Sequence, residues 1–279
     1  MELERFADVS GFVRAAGAFL EAREAEHSLL FGTASILAAA PARYPGPNVL
    51  VIVRHEGTVV LAAVETPPFG LVLSEIDRVE ALDLLLDDLA TVDLPSVLGP
   101  AELIGAFARR LADRRGVAAV LESSQRIFRT TSVRRPAPAP GRLRQAGPAD
   151  RDLLLEWFAA FEQEALGEDD PSGVADVVDE RLERGWIHLW DDDGPVSFVA
   201  IGGLTPNGVL LEGGYTPAGL RGRGYGSNTV AEISRSLLEE GARLVFLFTD
   251  LANPVSNHVY PALGYAPVRD VEVWRFEPR

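Results

Sequence analysis

The chain has 279 residues, enough for two ordinary domains with a core each, and it carries neither cysteine nor lysine, all 26 basic residues being arginine. That composition excludes disulfides, thiolate nucleophiles, cysteine-bound zinc, a Walker A lysine and a Schiff-base lysine. A net charge of −15 argues against a nucleic-acid partner, and no apolar run approaches the ~18 residues of a membrane span, so a cytoplasmic chain with no membrane association is expected.

Val13, Ala16, Phe19 and Leu20 recur at helical spacing and open the first half. Residues 49–54, a turn at Glu56 and Gly57, residues 58–65, and residues 71–73 then read as a β-meander. The run Arg135, Pro136, Ala137, Pro138, Ala139, Pro140, Gly141 cannot continue a helix or a central strand, because proline lacks the amide donor and restrains its predecessor. It marks a linker, 136–141, between a first domain, 1–135, and a second, 142–279. Beyond it the same order returns: a helical stripe at Leu154, Trp157, Phe158 and Phe161, then strands at 186–190, 196–201 and 209–216. Gly57 and Gly194, each in the turn before the second of these strands, lie 137 residues apart, so tandem copies of one α+β fold are the economical account.

After the strand 209–216 come Arg221, Gly222, Arg223, Gly224, Tyr225, Gly226 and Ser227, then a helix to about Glu240 with its stripe at Val230, Ile233 and Leu237 and Gly241 as its stop. Residues 244–248 follow as a strand buried on both faces. Glycines let a backbone aim its amides at one point, and a helix start adds partial positive charge, so this loop suits a phosphate or pyrophosphate; a plain glycine turn is the other reading. A dinucleotide fingerprint does not fit, since its third glycine falls on Ser227 and Asp250 lies 28 residues past Gly222.

The spacing Arg221 xx Gly224 x Gly226 resembles the pyrophosphate loop of the GNAT superfamily of N-acetyltransferases. Asn253 xx Ser256 xxx Tyr260 xxx Gly264 Tyr265 resembles the second signature of that family, with Ser256 in place of its alanine. The resemblance implies two tandem GNAT-like α+β domains, each a mixed, mostly antiparallel sheet flanked by helices. It implies acetyl-coenzyme A, without a metal, in a gap where the strands 209–216 and 244–250 splay apart. By the same carry-over the amides from Gly222 to Ser227 hold the pyrophosphate, edge groups near Tyr215 and Thr216 pair with the pantetheine, and Asn253 and Asn257 contact the coenzyme. Tyr260 protonates the departing thiolate, with packing on an amphipathic helix as its other reading. Pro261, directly after it, threatens to end the helix early.

The mechanism so implied is direct attack of a neutral amine on the thioester, with the oxyanion held by backbone amides. Glu212 is the preferred base, with a raised pKa if desolvated; a surface-facing or hydrogen-bonded glutamate is the alternative. His188 reads as a packed or half-exposed strand residue, His258 as helix surface, and Glu168, Asp169 and Asp170 as a solvated loop. The acids concentrate in residues 136–279, which hold 12 Arg against 23 acids, a net of −11. An acidic field attracts cations, so a small cationic amine is the expected acceptor, although acidity also serves solubility. The first half has no paired glycines after residue 73, only Ser74, Glu75, Ile76, Asp77 and Arg78, and resembles a degenerate N-terminal copy that binds no coenzyme. A non-catalytic acyl-coenzyme A sensor and a structural pseudoenzyme are the competing classes.

Overall fold

A computed structural model describes residues 1–39, 46, 48–166 and 173–279. The first half contains β1 (Glu2–Arg5), α1 (Val9–Glu21), α2 (Ser28–Ala39), β2 (Val49–His55), β3 (Thr58–Glu65), β4 (Leu71–Leu73), α3 (Ala81–Asp88), β5 (Ser96–Pro100), α4 (Ala101–Arg115) and β6 (Val117–Thr130). The second contains β7 (Arg142–Gln145), α5 (Arg151–Leu166), α6 (Val174–Glu183), β8 (Ile187–Asp191), β9 (Pro195–Leu204), β10 (Gly208–Tyr215), α7 (Tyr225–Glu239), β11 (Leu244–Asp250), α8 (Pro254–Ala262) and β12 (Ala266–Pro278). Local chemistry starts the helices. Asp8 accepts from the Gly11 amide at 2.8 Å and so satisfies a donor that the first turn of α1 leaves free. The buried stripe of α1 is Phe12, Ala16 and Leu20, with Val13 turned to solvent.

One sheet runs through the molecule in the order β1-β2-β3-β4-β5-β12-β6-β11-β10-β9-β8-β7. Among the described residues only β4–β5 and β10–β11 pair in parallel, which makes the sheet mixed and mostly antiparallel. The order has the same pattern from either edge, as two copies of one topology require. At its centre the halves exchange strands. β6 pairs with β11 from Val245↔Thr130 to Asp250↔Gln125, while β12 pairs with β5 from Val271↔Pro100 to Arg275↔Ser96. β6 and β12 then run antiparallel along nearly their whole length. Each half therefore satisfies the open edge of its own β5 or β11 with the other half's last strand.

Helices cover both faces. α3 and α4 lie over a core of Val51, Leu71, Leu85, Phe107 and neighbours, with Trp274 and Phe276 of β12 packed against it. α7 covers Val209, Leu211, Val245, Leu247 and Phe128, the last contributed by β6. On the opposite face α5 and α6 cover Ile187, Leu189, Phe198 and Ala200, and α1 and α2 cover Leu50, Ile52, Ala62 and Val64.

Two further contacts lock the halves together. α2 crosses β9 where Gly32 meets Gly203, so close that a Cβ at Gly203 would stand 3.0 Å from the Gly32 Cα. Glu24, buried between α1 and α2, accepts from the Asn207 amide at 2.6 Å, from Asn207 Nδ2 at 2.9 Å and from the Thr205 hydroxyl, fixing the β9–β10 turn. The proline linker is also docked: Ala137 O accepts from Asn228 Nδ2 at 2.9 Å and Pro140 O from Trp190 Nε1 at 2.7 Å. Among the described residues no helix is long and apolar enough to cross a membrane.

Candidate active site

The β10–β11 ladder is short. Its last pair is Leu211↔Leu247, after which β10 stays with β9 as far as Tyr215↔Phe198 and β11 stays with β6 as far as Asp250↔Gln125. The two strands part above that pair. Part of the cause is local, since Gly213 and Gly214 drop out of the β9 ladder in a bulge and Gly213 adopts φ +65°, which bends β10 away from its parallel neighbour.

The glycine loop lies at the end of this strand. A 3-10 turn, Ala218–Leu220, leads into Gly222 at φ +77° and Gly224 at φ +83°, the latter capping α7, which starts two residues before the stretch 227–240. Residues with a Cβ rarely adopt such angles. The amides of Gly222, Arg223, Gly224, Tyr225, Gly226 and Ser227 have no hydrogen-bond partner among the described residues, whereas the next, Asn228, already donates to Gly224 O at 3.0 Å. A Cβ at Gly222 would meet nothing within 4 Å, so space stands open beside these donors.

The side chains divide more sharply than their spacing suggests. Arg221 turns back from the loop: its Nε donates to Thr216 O at 2.8 Å, its Nη2 pairs with Glu164 of α5 at 2.5 Å, and its guanidinium lies 5.6 Å above the Tyr215 ring. Arg223 donates to Gly219 O at 3.3 Å. Tyr225 is buried beside Trp190 and Val196 and donates to Asp192 at 2.5 Å, which leaves only its amide facing the loop's open side. The carbonyls of Tyr215 and Thr216 are taken by Ser197 and Arg221, and the Thr216 hydroxyl meets Ser197 Oγ at 2.9 Å.

On α8, Asn253 is a helix cap, its Oδ1 accepting from the Val255 and Ser256 amides at 3.1 Å each. Asn257 donates to Asp250 O and Asn253 O, both at 2.8 Å, while its Oδ1 is buried without a partner. An orphaned carbonyl oxygen where β11 ends is an acceptor waiting for a donor. The helix runs one residue past Pro261, long enough to hold Tyr260 between Phe128 of β6 and Tyr265, with ring centroids 6.0 and 5.8 Å away. Burial pushes the Tyr260 phenol above its ordinary range, with Ser256 partly opposing the shift.

Glu212 stands on the α5–α6 face, the first residue of β10 past the last β10–β11 pair. It is not desolvated: its side chain is 54% exposed and accepts from Arg181 Nη2 at 2.6 Å. His188 is half-buried with an unpaired Nδ1, and burial lowers its pKa; His258 is exposed on α8. Glu168, Asp169 and Asp170 lie outside the described residues. Arg181, Glu164 and the Gly213–Gly214 bulge are parts of this site that spacing did not identify, although paired glycines inside a strand pattern are themselves a bulge signal.

In the first half the corresponding place is closed. Beyond β4 and β5, Glu75 and Glu102 both bind Arg269 of β12, and His27, held neutral by burial, accepts from the Glu75 amide at 3.0 Å. Among the described residues no group of three or more acidic or histidine side chains could hold a metal ion.

The model of the acetyltransferase (GNAT) family matches residues 151–265, a span containing the bulged strand, the glycine loop and Tyr260. Residues 151–265 are a GNAT domain. Solved structures extend the likeness in fold to the whole chain. A Drosophila protein superposes with a TM-score of 0.70 at 14% identity over 99% of this chain and 98% of its own. A GNAT-family acetyltransferase from Colwellia psychrerythraea superposes with 0.60 at 10% identity over 99% and 100%. A tandem GNAT protein from the clavulanic acid biosynthesis pathway gives 0.53 at 14% identity over 98% of both chains. No curated protein matches the sequence. The chain thus has the tandem GNAT fold, with its glycine loop in the second copy alone.

Proposed function

We propose that the chain is an acetyl-coenzyme A-dependent N-acetyltransferase whose second half carries the reaction and whose first half is a degenerate copy. The observation that carries this reading is the set of six unpartnered amides around Gly222 and Gly224, set beside a parallel ladder that ends early. Acetyl-coenzyme A supplies an acyl group already activated as a thioester. The loop amides suit its pyrophosphate, a helix start being a ready anion site. Asn257 Oδ1 suits a pantetheine amide donor, since it is a buried acceptor without a partner among the described residues, placed where β11 ends. Asn253 and the arginine side chains support these positions indirectly, by capping α8 and bracing the loop.

Tyr260 is the proton donor to the departing sulfur: a phenol is protonated at neutral pH, and burial keeps it so by disfavouring the phenolate. The acceptor is a small primary amine, attacking directly in its neutral form; the net −11 of residues 136–279 favours its arrival as an ammonium ion. Glu212 is the carboxylate proposed to receive the ammonium, and it reaches that ion beside its partner Arg181. Titration calorimetry with acetyl-coenzyme A, together with release of free thiol across an amine panel, tests the reading. Binding with turnover supports it. Binding without turnover on any amine makes the protein a sensor, and no binding makes it a structural pseudoenzyme.

A further inference from the structure

On the α5–α6 face, just above the point where β10 and β11 part, Glu212 is the exposed carboxylate of β10, and its partner is Arg181. Arg181 comes from α6, keeps its side chain only 15% exposed, and lies with its guanidinium 5.6 Å from the Phe158 ring centroid. Glu212 is by contrast mostly open. The pair therefore consists of a fixed cation below and a reachable carboxylate above. Beside it Gly213 has no side chain, and the nearest atoms to the place a Cβ would take are ring carbons of Phe158, Phe198 and Phe161 at 3.7 to 3.9 Å. Phe161 and Tyr215 are half-buried and extend this aromatic surface toward the opening.

We propose that Arg181 and Glu212 together read the acceptor, and that the acceptor is an α-amino carboxylate with an apolar side chain. The proposal rests on the acetyltransferase reading above. In an α-amino acid the ammonium nitrogen and a carboxylate oxygen stand roughly 3 Å apart, comparable to the 2.6 Å of the ion pair they would replace. Its ammonium would take the open Glu212 and its carboxylate Arg181, so the largely buried guanidinium keeps a counter-charge. A plain apolar amine would strip Glu212 from Arg181 and offer the guanidinium nothing in return. A diamine would bring a second cation against it. The acidic balance of the half as a whole draws an ammonium group in, and Arg181, whose partner Glu212 is the carboxylate the ammonium would take, decides what the rest of the molecule must carry.

L-phenylalanine and phenethylamine share ring and amine and differ by one carboxylate, so they isolate the question. Thiol release from acetyl-coenzyme A should favour L-phenylalanine over phenethylamine and over putrescine by about 10- to 100-fold in kcat/KM, the scale of one charge-assisted pair. Calorimetric titration of L-phenylalanine into the protein saturated with coenzyme A should show the same preference. Arg181→Gln should abolish the preference in both readouts, and Arg181→Lys should restore part of it, with coenzyme A affinity unchanged in each. Equal or stronger use of phenethylamine or putrescine, or a preference that survives Arg181→Gln, overturns the proposal. L-phenylalanine binding that needs Arg181 without any turnover would keep the site and sink the acetyltransferase reading instead.

Discussion

Cutting the chain in its linker and expressing residues 136–279 alone should yield no stable monomer, even though this segment contains the entire family match. The reason is β6. Its ladders with β11 and β12 run from Asp250↔Gln125 to Val245↔Thr130 and from Ala266↔Arg129 to Pro278↔Val117. At about one bond per pair, that is roughly 18 backbone hydrogen bonds, each worth ~0.5–1.5 kcal/mol net. Ile127 and Phe128, both nearly fully buried, add ~1.5–3 kcal/mol apiece. The total, of order 10–30 kcal/mol, matches or exceeds the ~5–15 kcal/mol that stabilises a whole domain. Size-exclusion chromatography with light scattering and a thermal melt should show the fragment aggregated or without a cooperative transition. Co-expression with residues 1–135 should restore a one-to-one complex melting near the intact chain. A monomeric fragment with the intact chain's melting temperature would refute the assigned exchange.

Tyr260→Phe should lower turnover by ~10²-fold with coenzyme affinity nearly unchanged, since the ring still packs on Phe128 and only the proton is lost; wild-type turnover would leave Tyr260 a packing residue. Gly222→Glu places a carboxylate in open space beside the unpartnered amides at a cost of about 1 kcal/mol for φ +77°, so the fold should hold while affinity for acetyl-coenzyme A falls at least tenfold by calorimetry. Gly224→Glu is the poorer probe, because a side chain there meets Asn228 and the linker. Burial pushes the Glu65 carboxyl up to about 7, above its value in the unfolded chain, so its protonated form is the one folding favours. Stability from this group is complete below about pH 4.5 and is lost as pH rises to about 7, a change of about 3 kcal/mol. Glu65→Gln should remove that dependence and raise the melting temperature at pH 8; an unchanged melt there would show Glu65 to be solvated.

The sequence by itself determined whatever depends on neighbours in the chain. Gly222 and Gly224 mark the loop because only glycine takes their backbone angles cheaply, Gly241 ends α7, and alternation and helical spacing place both meanders around a linker. The two GNAT signatures could be read for the same reason, each being one continuous stretch of chain. Tertiary structure decided what joins distant segments. Arg126 forks onto Asp270 across 144 residues at 2.6 and 2.8 Å at the centre of the exchanged strands, and nothing in the pattern of β6 distinguishes a strand kept from a strand given away. The direction of Arg221 depends on Glu164, 57 residues before it, and the exposure of Glu212 on Arg181, 31 residues before it. A long charged side chain has many rotamers of similar energy, and which one is occupied is set by the charge that folding brings within reach.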